Sequence, residues 1–402
     1  MSTQGGPRST VVGIGADGWP GLPERLRARI EAADVVLGGR RHLDLLPDVP
    51  GQTREAWPTP LRPALPALLD RYAGRPIVVL ASGDPLVSGI GATLIEILGA
   101  EQVEIEPAVS SVALAGARMG WPTESYDVIS LVGRHPAAVV RALAPRHRLI
   151  LLSSDGTTPA TVADLLVDAG YGESVLTVLG DLGAAAESRT TGLARSWAQE
   201  VPALNVVAVQ LDGPVIGARS GGLPDEAFEH DGQLTKLDLR ASALARLAPQ
   251  PGQLLWDVGA GAGSLGIEWL RAHPTCRAVA IEADDLRAER VTRNAERLGV
   301  PMLQVVHGRA PQALAQLEAP DAVFVGGGAN TAGLLDACRT ALRPGGRLVV
   351  HGVTLETETL LADSYTEHGG ELTRIHVETA APIGSFTGWT PARAVTQWSW
   401  TR

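Results

Sequence analysis

Two groups of residues have types and spacing suited to chemistry. The first is Asp257-Val258-Gly259-Ala260-Gly261-Ala262-Gly263, directly behind the apolar run Leu254-Leu255-Trp256. Glycine at 259, 261 and 263 lets a ligand approach bare backbone where a buried strand gives way to a helix. Glu282 ends the next apolar run, Ala278-Val279-Ala280-Ile281, where a carboxylate can accept hydrogen bonds from both hydroxyls of a ribose. Gly326 opens a triple-glycine loop behind a further run, Ala322 to Val325. The second group is Ala81-Ser82-Gly83-Asp84-Pro85 behind Ile77 to Leu80, repeated in style by Pro107-Ala108-Val109-Ser110-Ser111 behind Val103 to Glu106. Two such loops at one sheet edge make a pocket, whose ligand these residues alone do not name.

For the first group the ligand class can be narrowed. Gly261, Gly263 and Gly266 also satisfy the dinucleotide pattern G-x-G-x-x-G. Asp257, in the last turn of its strand, is placed to reach the cationic end of S-adenosylmethionine. The late extended segments Leu372 to Glu378 and Ala394 to Trp400 suit a methyltransferase sheet better than a dinucleotide fold. The pattern therefore favours S-adenosylmethionine over NAD.

The elements around these loops predict an α/β protein. Short β-branched runs alternate with helical patterns up to about residue 106, which indicates a largely parallel sheet. A second set of strands and helices runs from Val128 to Leu211, and a break near Met119 to Ser125 divides two subdomains, about 1–120 and 121–212, with a cleft between them. Gly213-Pro214, Gly217 and Ser220-Gly221-Gly222-Leu223-Pro224 read as a linker, 213–230. Residues 231–402 read as one Rossmann-like domain closed by an antiparallel hairpin at the sheet edge.

Composition narrows the partners. With 402 residues, 45% of them apolar, the chain can build two or three sizeable cores. A net charge of −10 disfavours a nucleic-acid partner. Cys276 and Cys338 are the two cysteines and fall in different elements, so no disulfide framework follows and a cytoplasmic home is expected. No apolar run approaches the length of a membrane span, and the nine histidines lack metal-ligand spacing, so neither membrane nor metal is expected.

The first half resembles the tetrapyrrole methylase family, through Val12-Gly13-Ile14-Gly15, Leu80 to Pro85, Pro107 to Ser111 and Ser130-Leu131-Val132-Gly133-Arg134. The second half is similar to the decarboxylating methyltransferases of the cobalamin pathway. That likeness rests on Leu234-Thr235-Lys236 with Arg240, Asp257 to Gly263, Gly308-Arg309-Ala310-Pro311, Val325 to Gly328 and Val353 to Thr357. The resemblance implies a two-subdomain tetrapyrrole methylase fold joined to a class I methyltransferase, and two S-adenosylmethionine sites per chain. It implies methylation of precorrin-6Y at carbons 5 and 15, with loss of the ring-C acetate carboxylate, giving precorrin-8. It also implies a homo-oligomer. The cofactor residues it marks are Ala16, Gly83, Asp84, Val87, Ser110, Ser111 and Val132 in the first half. In the second half they are Asp257, Gly259, Gly261, Gly263, Glu282, Arg309, Ala310 and Gly326. Ala16 stands where the family commonly has proline, Arg309 where many methyltransferases have an acid, and His351 where asparagine is frequent.

A substrate rich in carboxylates calls for basic partners, for which Lys236 and Arg240 are candidates. His351 and His307 end strands at the ligand edge and are candidates for moving a proton. Arg134, Thr390 and Arg393 are further substrate candidates. The alternative function keeps the tetrapyrrole methylase half and gives the second half another small molecule or an RNA base.

Overall fold

The structure, a computed structural model, describes residues 9–215 and 221–402. The chain divides into two units. One takes in the described residues up to Pro136 together with Ala144–Pro214; the other takes in Ala137–Leu143 and the described residues from Val215 onward. The first half of the expected linker's motif is partly out of view, because Gly217 and Ser220 lie outside the described residues, as does the polar start of the chain.

The first unit opens with five strands: β1 (Ser9–Ile14), β2 (Val35–Gly38), β3 (Thr53–Ala56), β4 (Ile77–Ser82) and β5 (Val103–Glu106). They form a parallel sheet in the order β3-β2-β4-β1-β5. Every residue of β1 is buried, as a central parallel strand requires. Alternate residues serve opposite faces: Val11 and Val79 join one core, Val12 and Val78 the other. Gly13 shows why the loops behind β1, β4 and β5 converge. A Cβ there would lie 1.9 Å from the Gly83 carbonyl oxygen and 2.6 Å from the Ala108 nitrogen.

Five further strands follow: β6 (Asp127–Ser130), β7 (Arg148–Leu152), β8 (Val175–Gly180), β9 (Ser188–Leu193) and β10 (Asn205–Gln210). Their order is β6-β7-β10-β8-β9, with β6 parallel to β7 and the other pairs antiparallel. The two subdomains part earlier than the sequence break suggests. The helix Ser111–Met119 packs on the second sheet, with Ala115 against Ile150, Leu179 and Val206. The crossover therefore lies at Pro107–Ser110, before that helix.

The second unit holds β11 (Leu254–Val258), β12 (Arg277–Glu282), β13 (Gln304–His307), β14 (Ala322–Val325), β15 (Arg347–Gly352), β16 (Glu371–Ile375), β17 (Glu378–Ile383), β18 (Phe386–Pro391) and β19 (Val395–Thr401). A seven-stranded sheet runs β13-β12-β11-β14-β15-β19-β16. Strand β19 is antiparallel to β15 and to β16, which is the expected edge arrangement. Between β16 and β19 an additional hairpin, β17–β18, forms a sheet of its own. The chain leaves β11 toward β12 and β13 and returns to its other side at β14. The carboxyl ends of β11 and β14 thus flank the switch point where open α/β sheets bind ligands.

The stretch expected to be a linker behaves differently where it is described. Leu223 and Phe228 are buried in the core of the second unit with Leu244 and Trp269. From Gly221 onward the chain belongs to that unit because it has apolar side chains to bury. Among the described residues no helix is long and apolar enough to cross a membrane.

Candidate active site

A cavity of about 460 Å³ opens at the carboxyl ends of β11, β12, β14 and β15. Its walls include Gly259 to Gly261, Glu282, Arg309 with Ala310, the Gly326–Gly328 loop and His351. A segment ahead of β11, Gly232 to Thr235, forms another wall. Gly261 has φ +59, and a Cβ on it would lie 2.7 Å from the Gln233 carbonyl oxygen. Glycine is required there so that the turn and this segment can close on each other. Gly259 and Gly263 also have positive φ.

Glu282 is 7% exposed and lines the cavity. Its Oε2 accepts the Gly261 N–H at 2.8 Å, and its Oε1 accepts those of Ala283 at 2.9 Å and Asp284 at 3.0 Å. Three backbone donors thus fix the carboxylate beside the glycine turn. A carboxylate has about four acceptor positions, so one remains, on Oε2.

Asp257 is placed differently from its expectation. It does not line the cavity; it is buried beneath the turn, and its Oδ2 accepts the Gly266 N–H at 2.9 Å. Burial pushes its carboxyl up to about 7, the Gly266 N–H pulls it down, and the charge of Glu282 raises it further. Asp257 braces the turn from behind, and Glu282 faces the ligand side.

The segment over the cavity hangs on Arg240. That side chain is fully buried on the helix Leu237–Leu247, alongside Ala243, Leu244 and Leu247. Its Nε donates to Glu268 Oε1 at 2.6 Å, and its Nη1 to the Thr235 carbonyl at 2.5 Å and to Asp225 Oδ1 at 3.3 Å. Its Nη2 donates to the Leu223 carbonyl, and the Phe228 ring lies 4.8 Å from the guanidinium. Glu268 in turn accepts the N–H groups of Gly222 at 2.5 Å and Leu223 at 2.9 Å. Asn294 adds a second anchor, exchanging hydrogen bonds with the backbone of Glu229 and donating to the Ala262 carbonyl. Arg240 is therefore not presented to a substrate, because four of its five N–H donors hold the chain from Leu223 to Thr235 and the carboxylates beneath it. Lys236 is half-exposed and pairs with Asp225 at 3.5 Å, outside the cavity wall.

His351 does line the cavity. It is buried at the end of β15, edge-on to Phe324 with ring centres 5.0 Å apart, and its Nε2 lies 2.9 Å from the side-chain amide of Gln397. Burial lowers its basicity, and the charge of Arg246 lowers it further. His307 is exposed, beside the Ala283 carbonyl at 3.2 Å, and Thr390 and Arg393 are exposed on and after β18. None of these three lines the cavity.

In the first unit the glycine loops meet at the carboxyl edge of the parallel sheet. Gly83 has φ +56, donates to the Ile14 carbonyl at 3.0 Å, and accepts from the Ala108 N–H at 3.2 Å. Asp84 accepts the Leu86 N–H at 2.8 Å and so pins its own turn. Ser110 caps the helix that Ser111 begins, accepting the Ala113 N–H at 3.1 Å. Ala16 lies in the turn after β1, half-buried, and Val87 packs against the core of the second subdomain. Val132 is exposed beyond β6, and Arg134 is exposed beside it. The structure adds residues that sequence reasoning missed. Arg41 sits 2.8 Å from His42 Nε2 and 3.4 Å from the Ser82 hydroxyl. Burial and the Arg41 charge push His42 down to about 4. Their position just after β2, at the same sheet edge, was the available signal.

A glycine turn, a carboxylate on the neighbouring strand and a cavity at the switch point define a class I methyltransferase unit, here preceded by a unit of tetrapyrrole methylase type. Residues 226–402 match the family model described as "Precorrin methyltransferase domain", and residues 9–198 match "Tetrapyrrole (Corrin/Porphyrin) Methylases". The chain is 46% identical over 401 residues to the Sinorhizobium sp protein named precorrin-6Y C(5,15)-methyltransferase [decarboxylating], covering 98% of this chain and 97% of that one. Two shorter relatives match part of it. A Pyrobaculum calidifontis protein, named a probable cobalt-precorrin-6B C(15)-methyltransferase (decarboxylating), is 34% identical over 41% of this chain and 88% of its own. A Salmonella typhimurium protein, named cobalt-precorrin-7 C(5)-methyltransferase, is 33% identical over 42% of this chain and 82% of its own. The chain belongs to the precorrin-6Y C(5,15)-methyltransferase (decarboxylating) family, and it is a methyltransferase.

Two outcomes follow from the placement of these groups. Arg240→Met removes one partner of a buried ion pair and strands Glu268, so the second unit should lose ~3–5 kcal/mol of stability. Urea denaturation of the full chain followed by tryptophan fluorescence checks this; an unchanged midpoint would return Arg240 to the substrate-facing candidates. Asp257 has a folded-state value raised from 3.8 to about 7. Folding favours its neutral form, so its contribution is fully present below about pH 4, is lost as pH rises through about 7, and is absent above. The melting temperature of Asp257→Asn minus that of the parent should therefore climb across this window and then level off. A difference that stays flat with pH contradicts the burial argument.

Proposed function

We propose that the chain methylates a precorrin macrocycle at two carbons, using S-adenosylmethionine at two sites. The first unit serves carbon 5; the second serves carbon 15 and removes the ring-C acetate carboxylate. The observation that carries this reading is the shared wall of the cavity, where the glycine turn and Glu282 stand side by side. The separate shorter relatives, one named for each carbon, support dividing the two reactions between the two halves. The corresponding domain reading is 1–212 for the tetrapyrrole methylase part and 231–402 for the decarboxylating part, the latter extended upstream to take in Leu223 and Phe228.

The residues present fit the methyl donor. The remaining acceptor position of Glu282 can take a ribose hydroxyl, and the bare turn from Gly259 to Gly261 lets backbone meet the rest of the nucleoside. Arg309, Ala310 and Gly326 complete that wall. In the first unit Gly83, Asp84, Ser110 and Ser111, with Ala16, Val87 and the exposed Val132, take the same role on a different fold. When bound, S-adenosylmethionine supplies an electrophilic methyl group. The protein's part is to hold donor and acceptor carbon in line, which contributes up to ~7–11 kcal/mol to lowering the barrier in favourable cases. It must also place hydrogen-bond donors where charge develops as the carboxylate leaves. Lys236, half-exposed outside the cavity wall, is available to a substrate carboxylate.

The same reading places the enzyme in the cytoplasm, in keeping with two buried, unpaired cysteines. It also makes the enzyme a homo-oligomer, for which the exposed Ile383, Phe386 and Trp389 of the β17–β18 hairpin offer apolar surface. Light scattering of the full chain reads this directly, and a monomer at micromolar concentration would remove the oligomer from the proposal.

Calorimetry should find two S-adenosylmethionine equivalents per chain. Glu282→Gln should weaken one of them by about 1–3 kcal/mol, the cost of a hydrogen bond to a charged group, and leave the other unchanged. The product formed by that variant, read by mass spectrometry, should carry one new methyl group and keep its carboxylate. One equivalent per chain, or equal weakening of both, would sink the two-site reading.

A further inference from the structure

Gln397 is a fully buried amide in the middle of an antiparallel row, between His351 on β15 and Thr373 on β16. Beside it lies Arg246, from the helix Leu237–Leu247. A guanidinium can only donate, so it faces the amide oxygen. With that oxygen toward Arg246, it accepts from Nη1 at 3.2 Å and shares the single Nε–H, at 3.0 Å, with Glu371, and the amide NH₂ donates to His351 Nε2 at 2.9 Å. The opposite orientation sets the amide NH₂ against the guanidinium, donor against donor. Arg246 is itself held in place, by both oxygens of Glu371 at 2.9 Å and by the Ser242 hydroxyl at 3.0 Å.

This chain of partners decides where the imidazole proton sits. His351 Nε2 receives a hydrogen bond, so it carries a lone pair, and the proton of the neutral ring is on Nδ1. The groups packed on the ring are Phe324 from β14, Gln397 from β19 and the Arg246 charge from the helix, with Glu371 beyond Arg246. Burial and the Arg246 charge both oppose protonation. The Nδ1–H is then the remaining polar group of a side chain that lines the cavity.

We propose that Gln397 and Arg246 are positioning residues that lock His351 as the neutral Nδ1–H tautomer, making it a fixed hydrogen-bond donor to an oxygen of the macrocycle and not a proton relay. The donor role rests on the function proposed above; the tautomer does not. A preorganised donor of this kind stabilises charge as it develops, and it needs no change of protonation during the reaction.

The test uses the full chain with labelled histidine and long-range ¹H–¹⁵N correlation, with His351→Gln assigning the signal. The expected pattern is a neutral Nδ1–H ring that does not titrate through the neutral range. Gln397→Glu places a carboxylate on Nε2, so it should move the proton to Nε2, bring a His351 titration into the neutral range and add a limb to the pH–rate profile. Gln397→Met should release the tautomer and lower kcat by on the order of 10²-fold, the scale for one lost preorganised donor, with KM changed much less. An Nε2–H ring in the parent overturns the proposal, as does a Gln397→Glu variant with the parent's tautomer and pH profile. A locked Nδ1–H ring in a protein that methylates no precorrin overturns the functional reading and leaves the tautomer standing.

Discussion

The second unit's cavity depends on the buried pair Arg240–Glu268. A charge pair taken out of water persists only when its remaining donors and acceptors are satisfied. Here they are satisfied by backbone: Glu268 by the N–H groups of Gly222 and Leu223, Arg240 by the carbonyls of Leu223 and Thr235. The pair thereby converts an otherwise irregular stretch into a fixed wall. That wall is what meets the glycine turn, since the Gln233 carbonyl occupies the space a Cβ on Gly261 would need. Asn294 ties the same stretch to the turn from the other side, through Glu229 and Ala262. The glycine at 261 thus answers to the protein's own packing as well as to a ligand.

Two carboxylates on neighbouring strands show how environment separates roles. Asp257 is buried with one backbone donor, and burial raises its carboxyl to about 7. Glu282 receives three backbone donors and stays at the cavity wall. The more solvated and better-bonded group is the one able to take a further hydrogen bond from a ligand. The desolvated one supports the turn.

Much of this was legible in the residues, for a physical reason. Strands buried on both faces, such as β1, β4, β11 and β14, are built around apolar runs, and the glycine turns follow them directly. Two of the edge strands were not legible. Strand β3 reads Thr53-Arg54-Glu55-Ala56 and β9 reads Ser188 to Leu193, because an edge strand half in solvent needs no apolar run. The β17–β18 hairpin stands apart from the main sheet, so its segments lacked a core-facing pattern. Arg240 was misjudged although a signal existed: it shares the i, i+3, i+4, i+7 face of Ala243, Leu244 and Leu247, the buried stripe of its helix. Gln397 gave no comparable signal, since nothing in its own strand says that Arg246 and His351 will meet there.

The two units both place glycine loops at a sheet edge, yet they build those edges in opposite ways. In the first unit the loops lean on one another. Gly13 admits the Gly83 carbonyl, Gly83 accepts from Ala108, and Asp84 and Ser110 spend their side chains on their own turns. Asp84 and Ser110 are thereby committed to their own turns, while Val109 and Val132 stand exposed. In the second unit a single carboxylate is kept available by giving its other acceptor positions to backbone. His351, on the same cavity wall, is held by two further residues, Gln397 and Arg246. A backbone-built site tolerates change in most side chains around it. A site that relies on aimed side chains transmits a change at Gln397 or Arg240 into the cavity, although neither residue belongs to its wall.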